Sequence, residues 1–188
     1  MTVEKKKKHV CSWQHVHLFD NFLRPLFHNP QKLFGRYVMP GMTVLDVGCG
    51  RGFASLGLAH LVGENGKVIA ADLQPEMLEM VLARAKKARL SKQISTHRCD
   101  SDRIGAKGEF DFILAFWMIH EVPDTDEFLK EVFGLLKSGG VFFAVEPKGH
   151  VSNADFEQMI KRSQEIGFSI QAKPSIRFSK AVVMKKLG

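Results

Sequence analysis

Apolar positions along the chain follow two alternating rhythms. Short β-branched or aromatic runs, Val44-Leu45-Asp46-Val47, Val68-Ile69-Ala70-Ala71, Phe110 to Trp117 and Val141 to Val145, have the length and density of strands buried on both faces. Ile94 to Cys99 alternates more weakly and adds a third strand in chain order. Between these runs, Phe53 to Val62, Gln74 to Arg89, Asp124 to Lys137 and Asn153 to Ile166 carry apolar residues at helical spacing. The helix from Gln74 has proline at its first position, Glu76 in its first turn and Lys86, Lys87 and Arg89 at its end, as the helix dipole favours. The helix from Asp124 opens on acids, closes on Lys137 and is predicted to stop at Ser138-Gly139-Gly140. Strand alternating with helix predicts right-handed βαβ units and a doubly wound α/β sheet, with ligands bound outside the carboxyl ends of the strands.

The two ends of the chain break this rhythm. Gly167 to Ala172 and Ile176 to Met184 read as two strands joined by a Lys173-Pro-Ser turn, so the sheet is expected to finish with an antiparallel hairpin. Residues 1–12 read as a disordered basic leader. Between Trp13 and Met39 apolar residues recur at helical spacing, broken by Pro25 and by His28-Asn29-Pro30, which predicts two short helices. We expect residues 13–188 to form a single domain, with 13–39 as a helical cover over the ligand crevice.

The most informative stretch is Thr43 to Phe53, T-V-L-D-V-G-C-G-R-G-F. A buried strand runs into glycines at alternate positions, Gly48, Gly50 and Gly52, and a helix follows at once. Such a loop lets a ligand approach the backbone and aims a helix N-terminus at it. The dinucleotide fingerprint G-x-G-x-x-G fails here, because its third glycine would fall on Phe53. An acid, Asp46, stands two positions before the first glycine; it would repel pyrophosphate but suits a ligand carrying an amino group and a sulfonium cation. Asp72 ends the second strand, about 20 residues beyond the loop, where an acid can accept hydrogen bonds from both ribose hydroxyls of an adenosine. It could equally cap the helix that follows.

With V-L-D-V-G-C-G-R-G, the acid at 72 and the late pattern L-L-K-S-G-G-V-F-F-A-V-E-P, the chain resembles the class I S-adenosylmethionine-dependent methyltransferases, among them the ubiquinone, menaquinone and arsenite enzymes. The similarity covers roughly residues 42 to 147. It implies a Rossmann-like fold, a seven-stranded, mostly parallel sheet with its last strand inserted antiparallel. It implies S-adenosyl-L-methionine as cofactor, held by Asp46, Gly48, Cys49, Gly50, Gly52, Asp72, Leu73, Met77, Asp100, Ser101 and Phe116. Within that set Asp72 is implied as the ribose ligand and Asp100 as the acid near the adenine amino group.

Composition narrows the reading further. The 188 residues are 45% hydrophobic, enough for one domain that buries on the order of 70% of its unfolded surface. The apolar run from Phe112 to Ile119 falls far short of the roughly 18 residues of a membrane span, and no signal-peptide core is visible, so a cytoplasmic location is expected. The net charge of +7 sits largely in Lys5 to Lys8 and in Lys185 and Lys186, which read as solvated ends rather than a nucleic-acid footprint. Three cysteines, Cys11, Cys49 and Cys99, without C-x-x-C spacing point to free thiols and to no metal site.

The acceptor is expected on the far side of the crevice, beyond the fourth strand, at Ala115-Phe-Trp-Met-Ile-His-Glu121. This departs from the Asn- or Asp-Pro-Pro-aromatic motif of amino-directed nucleic-acid methyltransferases, which favours a small-molecule acceptor. His120 is the candidate general base, as the side chain that titrates near neutrality, and Glu121 is its candidate partner; the alternative is a histidine that packs or caps the next helix. Two other functions fit the same sheet: a non-catalytic S-adenosylmethionine-binding module, and a nicotinamide oxidoreductase, which leaves Asp46 unexplained.

Overall fold

A computed structural model describes residues 28–188. The leader expected at 1–12, and the cover from Trp13 up to residue 27, lie outside the described residues. In chain order the elements are α1 (Pro30–Phe34), β1 (Thr43–Val47), α2 (Phe53–Val62), β2 (Lys67–Asp72), α3 (Pro75–Lys87), β3 (Ile94–Arg98), β4 (Phe110–Phe116), a single 3₁₀ turn (Ile119–Glu121), α4 (Thr125–Leu135), β5 (Leu136–Pro147), α5 (Asn153–Ile166), β6 (Phe168–Ala172) and β7 (Ser179–Lys186). The strands form one seven-stranded sheet in the order β3-β2-β1-β4-β5-β7-β6. Pairs from β3 across to β5 are parallel, and β7 is antiparallel to both its neighbours, as the expected fold requires.

The alternation of side chains along a strand divides the core in two. Val44, Val68, Phe112, Leu114 and Phe143 face one side and pack with Phe34, Leu58, Val62 and Val81 of α1, α2 and α3. Leu45, Val47, Ile113, Phe142 and Ala144 face the other, against Phe128, Leu129 and Val132 of α4 and Phe156 and Ile160 of α5. Asp124 caps α4 by accepting from the backbone N–H groups of Asp126 and Glu127, and Ser152 caps α5. No helix of the described residues is long and apolar enough to cross a membrane.

Three of the boundaries that differ from the pattern have a clear local cause. Helix α4 ends at Leu135 rather than Lys137, because Leu136 is already extended and pairs with Phe110. Ser138-Gly139-Gly140 is therefore an irregular start to β5 and not a helix stop. Gly139 has φ +76°, and a Cβ on Gly140 would stand 3.1 Å from the Phe110 carbonyl oxygen, so glycine is needed where the register slips. Strand β7 begins at Ser179, not Ile176, since Phe178 at φ +61° cannot continue a ladder; Ile176 makes only an isolated bridge to Ser179. Strand β4 stops at Phe116 because Trp117 has φ +62°.

Phe143 is wholly buried, with its ring 5.4 Å from Phe34, 5.5 Å from Tyr37 and 6.4 Å from Phe112, centroid to centroid. Phe143→Ala is expected to cost about 3–5 kcal/mol of stability in urea denaturation. A loss below about 1 kcal/mol would mean that the aromatic cluster closes over the gap.

Candidate active site

The carboxyl ends of β1, β2, β3 and β4 open into one cavity of about 760 Å³. At its centre is the loop after β1. Gly48 and Gly50 have φ of +65° and +52°, so both take the left-handed backbone that a side chain resists. A Cβ on Gly48 would strike Met118 at 2.7 Å, whereas one on Gly50 would meet nothing within 4 Å and would project into open space. The loop thus exposes backbone to the cavity where a ligand could approach.

Asp72 ties this loop to the next one. Its Oδ2 accepts from the Gly50 N–H at 2.9 Å and its Oδ1 from the Gln74 N–H at 3.0 Å, at the start of α3. Each carboxylate oxygen has a second acceptor position beyond these bonds, so fixing the loops and binding a diol are compatible roles. Burial raises its carboxyl above the usual range, opposed by the hydrogen bonds from the backbone N–H groups of Gln74, Gly50 and Leu73. Asp46 is buried against the same cavity and accepts from Ser55 Oγ at 2.5 Å. Ser55, in the first turn of α2, is not among the residues that the sequence singles out.

The remaining cofactor candidates separate by position. Cys49, Leu73, Met77, Asp100, Ser101 and Phe116 all border the cavity with Asp46, Gly48, Gly50 and Asp72. Gly52 does not. It precedes α2 with φ +77°, and a Cβ there would lie 2.9 Å from Val81 of α3, so it serves the packing of α2 on α3 behind the loop. Asp100 is exposed and paired with Arg103 Nε at 2.7 Å. Glu131 of α4 accepts from the N–H groups of Ile104 and Gly105, which pins the segment after β3 along the cavity wall. These features fit an adenosine with a charged amino acid tail: acids at two strand ends, exposed loop backbone between them, and apolar Leu73, Met77 and Phe116 for a base.

Across the cavity stands a histidine with a buried partner. Glu146, 3% exposed at the end of β5, accepts from the Ile119 and His120 N–H groups at 3.1 Å each and lies 2.7 Å from His120 Nδ1. A carboxylate facing three N–H donors is the acceptor, so Nδ1 carries a ring proton, and in the neutral ring Nε2 carries the lone pair. Glu121, the partner expected from adjacency, is 3.8 Å from Nε2. Glu146 was missed because it is a neighbour only across the β4–β5 pairing; its signal is an acid at the carboxyl end of a buried parallel strand. Among the described residues no cluster of His, Cys, Asp and Glu is placed to hold a metal ion.

Both described thiols stay protonated. Burial pushes Cys49 well above its ordinary value, and the charges of Asp46 and Asp72 add to the effect. Cys99 is pushed up to about 12 by burial and by the charges of Asp72, Glu131 and Asp100. The folded chain therefore holds protons that the unfolded chain releases, and stability falls as pH rises from about 9 towards 12. At pH 8, site-resolved mass spectrometry should find iodoacetamide alkylating both thiols on the order of 100-fold more slowly in the folded than in the unfolded protein. Equal rates would show that neither is shielded.

Residues 39–180 match the family model described as a methyltransferase domain. The chain is 30% identical over 109 residues to a demethylmenaquinone methyltransferase of Oceanobacillus iheyensis, covering 58% of this chain and 46% of that protein. It is 34% identical over 120 residues to a ubiquinone biosynthesis O-methyltransferase of Xanthomonas campestris pv. campestris, covering 61% and 48%. The chain thus matches about half the length of these curated relatives. The crystal structure of a SAM-dependent methyltransferase from Aquifex aeolicus has the same fold, with a TM-score of 0.85 at 23% identity over 95% of this chain and 100% of that one. By sequence over most of its length and by the architecture of its sheet, the chain belongs to the methyltransferase domain family, with the fold of the S-adenosylmethionine-dependent enzymes.

Proposed function

We propose that the protein binds S-adenosyl-L-methionine and methylates a small-molecule acceptor. The observation that carries this reading is the meeting, in one cavity, of the glycine loop, Asp46 and Asp72 on one side and the His120–Glu146 pair on the other. The relatives support a small acceptor by their names, which concern quinone biosynthesis.

Asp46, Gly48, Gly50 and Asp72 would hold the cofactor, with Leu73, Met77 and Phe116 against its base and Asp100 and Ser101 at the rim. When bound, the cofactor supplies a methyl group activated by its sulfonium. The chain's own residues hold the acceptor in line, shield it from water and remove a proton where the acceptor carries one. His120 Nε2 takes that proton from the acceptor heteroatom, while Glu146 fixes the orientation and tautomer of the ring. Glu146 is thus a positioning residue.

Asp72→Ala is expected to weaken binding of S-adenosylhomocysteine by about 1.5–3 kcal/mol in calorimetry, the scale of charge-assisted hydrogen bonds. It should also lower the melting temperature, because the Gly50 and Gln74 N–H groups lose their acceptor. A variant that melts earlier yet binds normally would leave Asp72 only as a fastener of loops.

A screen of hydroxy-, thiol- and amine-bearing compounds for release of S-adenosylhomocysteine identifies the acceptor class. On an acceptor found this way, His120→Ala should lower turnover by roughly 10²-fold with cofactor affinity unchanged. Glu146→Gln should lower turnover in the same direction and alter its pH profile. If His120→Ala turned over at the native rate, the proton would have to leave by another route. A protein that binds S-adenosylhomocysteine and turns over nothing would instead be a binding module.

A further inference from the structure

The acceptor side of the cavity contains two bulky residues in a backbone conformation that bulky residues avoid. Trp117 has φ +62° and Phe178 has φ +61°. For large L side chains this left-handed conformation is sterically costly, and it persists only where the surroundings impose it. Both residues line the main cavity although they lie on different elements, one just past β4 and one just before β7.

The surroundings that impose it converge on Ser179. Its hydroxyl oxygen, 3% exposed as a residue, accepts the Trp117 indole N–H at 3.0 Å and donates to the Arg177 carbonyl at 3.3 Å. The Ser179 N–H closes a tight turn onto the Ile176 carbonyl, and the Phe178 carbonyl accepts from the Lys148 N–H at 3.0 Å. The Trp117 N–H donates to the Val145 carbonyl at 2.7 Å. Phe178 is 57% exposed, with the Arg177 guanidinium 5.0 Å from the centre of its ring, and it keeps a side chain where glycine would adopt the backbone without strain.

Topology places this wall. Strand β7 runs antiparallel, so its first residue, Ser179, pairs with Pro147 at the carboxyl end of β5. Phe178 therefore stands over β5 and β7, whereas Asp46, Gly50 and Asp72 belong to β1 and β2. It stands away from the glycine loop, on the side where the proposed function puts the acceptor.

We propose that Phe178, set in place through the Trp117–Ser179 hydrogen bond, is a specificity-determining residue that selects acceptors with a flat aromatic ring over saturated ones of similar size. This rests on the proposed function, since it assigns one wall of the same cavity. Phe178 lines the same cavity as Trp117, Met118, Val122 and Pro123, and at the hairpin edge its ring adds a preference for ring stacking to simple apolar contact.

Calorimetry on the protein saturated with S-adenosylhomocysteine tests this with two probes, 2-naphthol and decahydro-2-naphthol. The native protein should favour the aromatic probe by about 5- to 10-fold, the scale of one aromatic pair. Phe178→Tyr should keep that preference and Phe178→Leu should erase it, with affinity for S-adenosylhomocysteine unchanged in both. Phe178→Gly should also erase it while melting no earlier than the native protein, because the strain is relieved. Native preference surviving in Phe178→Leu, or an early-melting Phe178→Gly with preference intact, would make Phe178 a structural residue and overturn the assignment. Cofactor binding without any preference between the probes overturns this inference alone; absence of cofactor binding removes the proposed function and this inference with it.

Discussion

Two hydrogen bonds to the Asp72 carboxylate hold the crevice in shape. The oxygens reach in opposite directions, one to the Gly50 N–H and one to the Gln74 N–H, so the loop after β1 and the loop after β2 are fastened to a single side chain. In a parallel sheet such loops run beyond the ladder, and one backbone bond, from the Cys49 N–H to the Ala71 carbonyl at 3.0 Å, supplements the carboxylate. Desolvation makes this fastening costly, as the raised carboxyl shows, and the backbone donors offset part of the cost. Asp46 and Ser55 repeat the arrangement one strand over, tying the end of β1 to the first turns of α2.

The other half of the crevice is organised by Glu146 in a comparable way. Its carboxylate collects the Ile119 and His120 N–H groups and the His120 ring, so the end of β5 fixes the turn that follows β4. Backbone and side chain of His120 are therefore oriented by one group. Under the proposed function, a histidine so held would exchange a proton at Nε2 without first reorganising.

Much of this was legible in the chain. The dense apolar runs reveal the buried strands because both faces of a parallel sheet are covered, and the alternating glycines after Val47 reveal the loop because only close approach and left-handed backbone demand them. What stayed hidden depends on contacts between distant residues. Glu146 and His120 meet through strand pairing, so Glu121 looked the nearer partner in sequence and is the farther in space. Gly52 belongs to the same motif as Gly48 and Gly50 but turns towards Val81, a distinction set by α3 and not by local spacing. The pair Gly139-Gly140 carries a composition that serves a helix stop and a strand irregularity equally well, and pairing with Phe110 decides between them. Left-handed Trp117 and Phe178 have no signature at all, because their residue types argue against the conformation they adopt.

The antiparallel strand β7 lies between β5 and β6 and, among the described residues, is the one strand that pairs with β6. Among the described residues the hairpin joins the rest of the sheet through its ladder to β5, and the strands carrying Asp46 and Asp72 do not pair with it. The crevice accordingly combines the loops after β1 and β2, the Glu146–His120 pair at the ends of β5 and β4, and a wall at Phe178 that depends on β7 being seated. Divergence in the hairpin can reshape the wall at Phe178 and leave the loops held by Asp46 and Asp72 untouched.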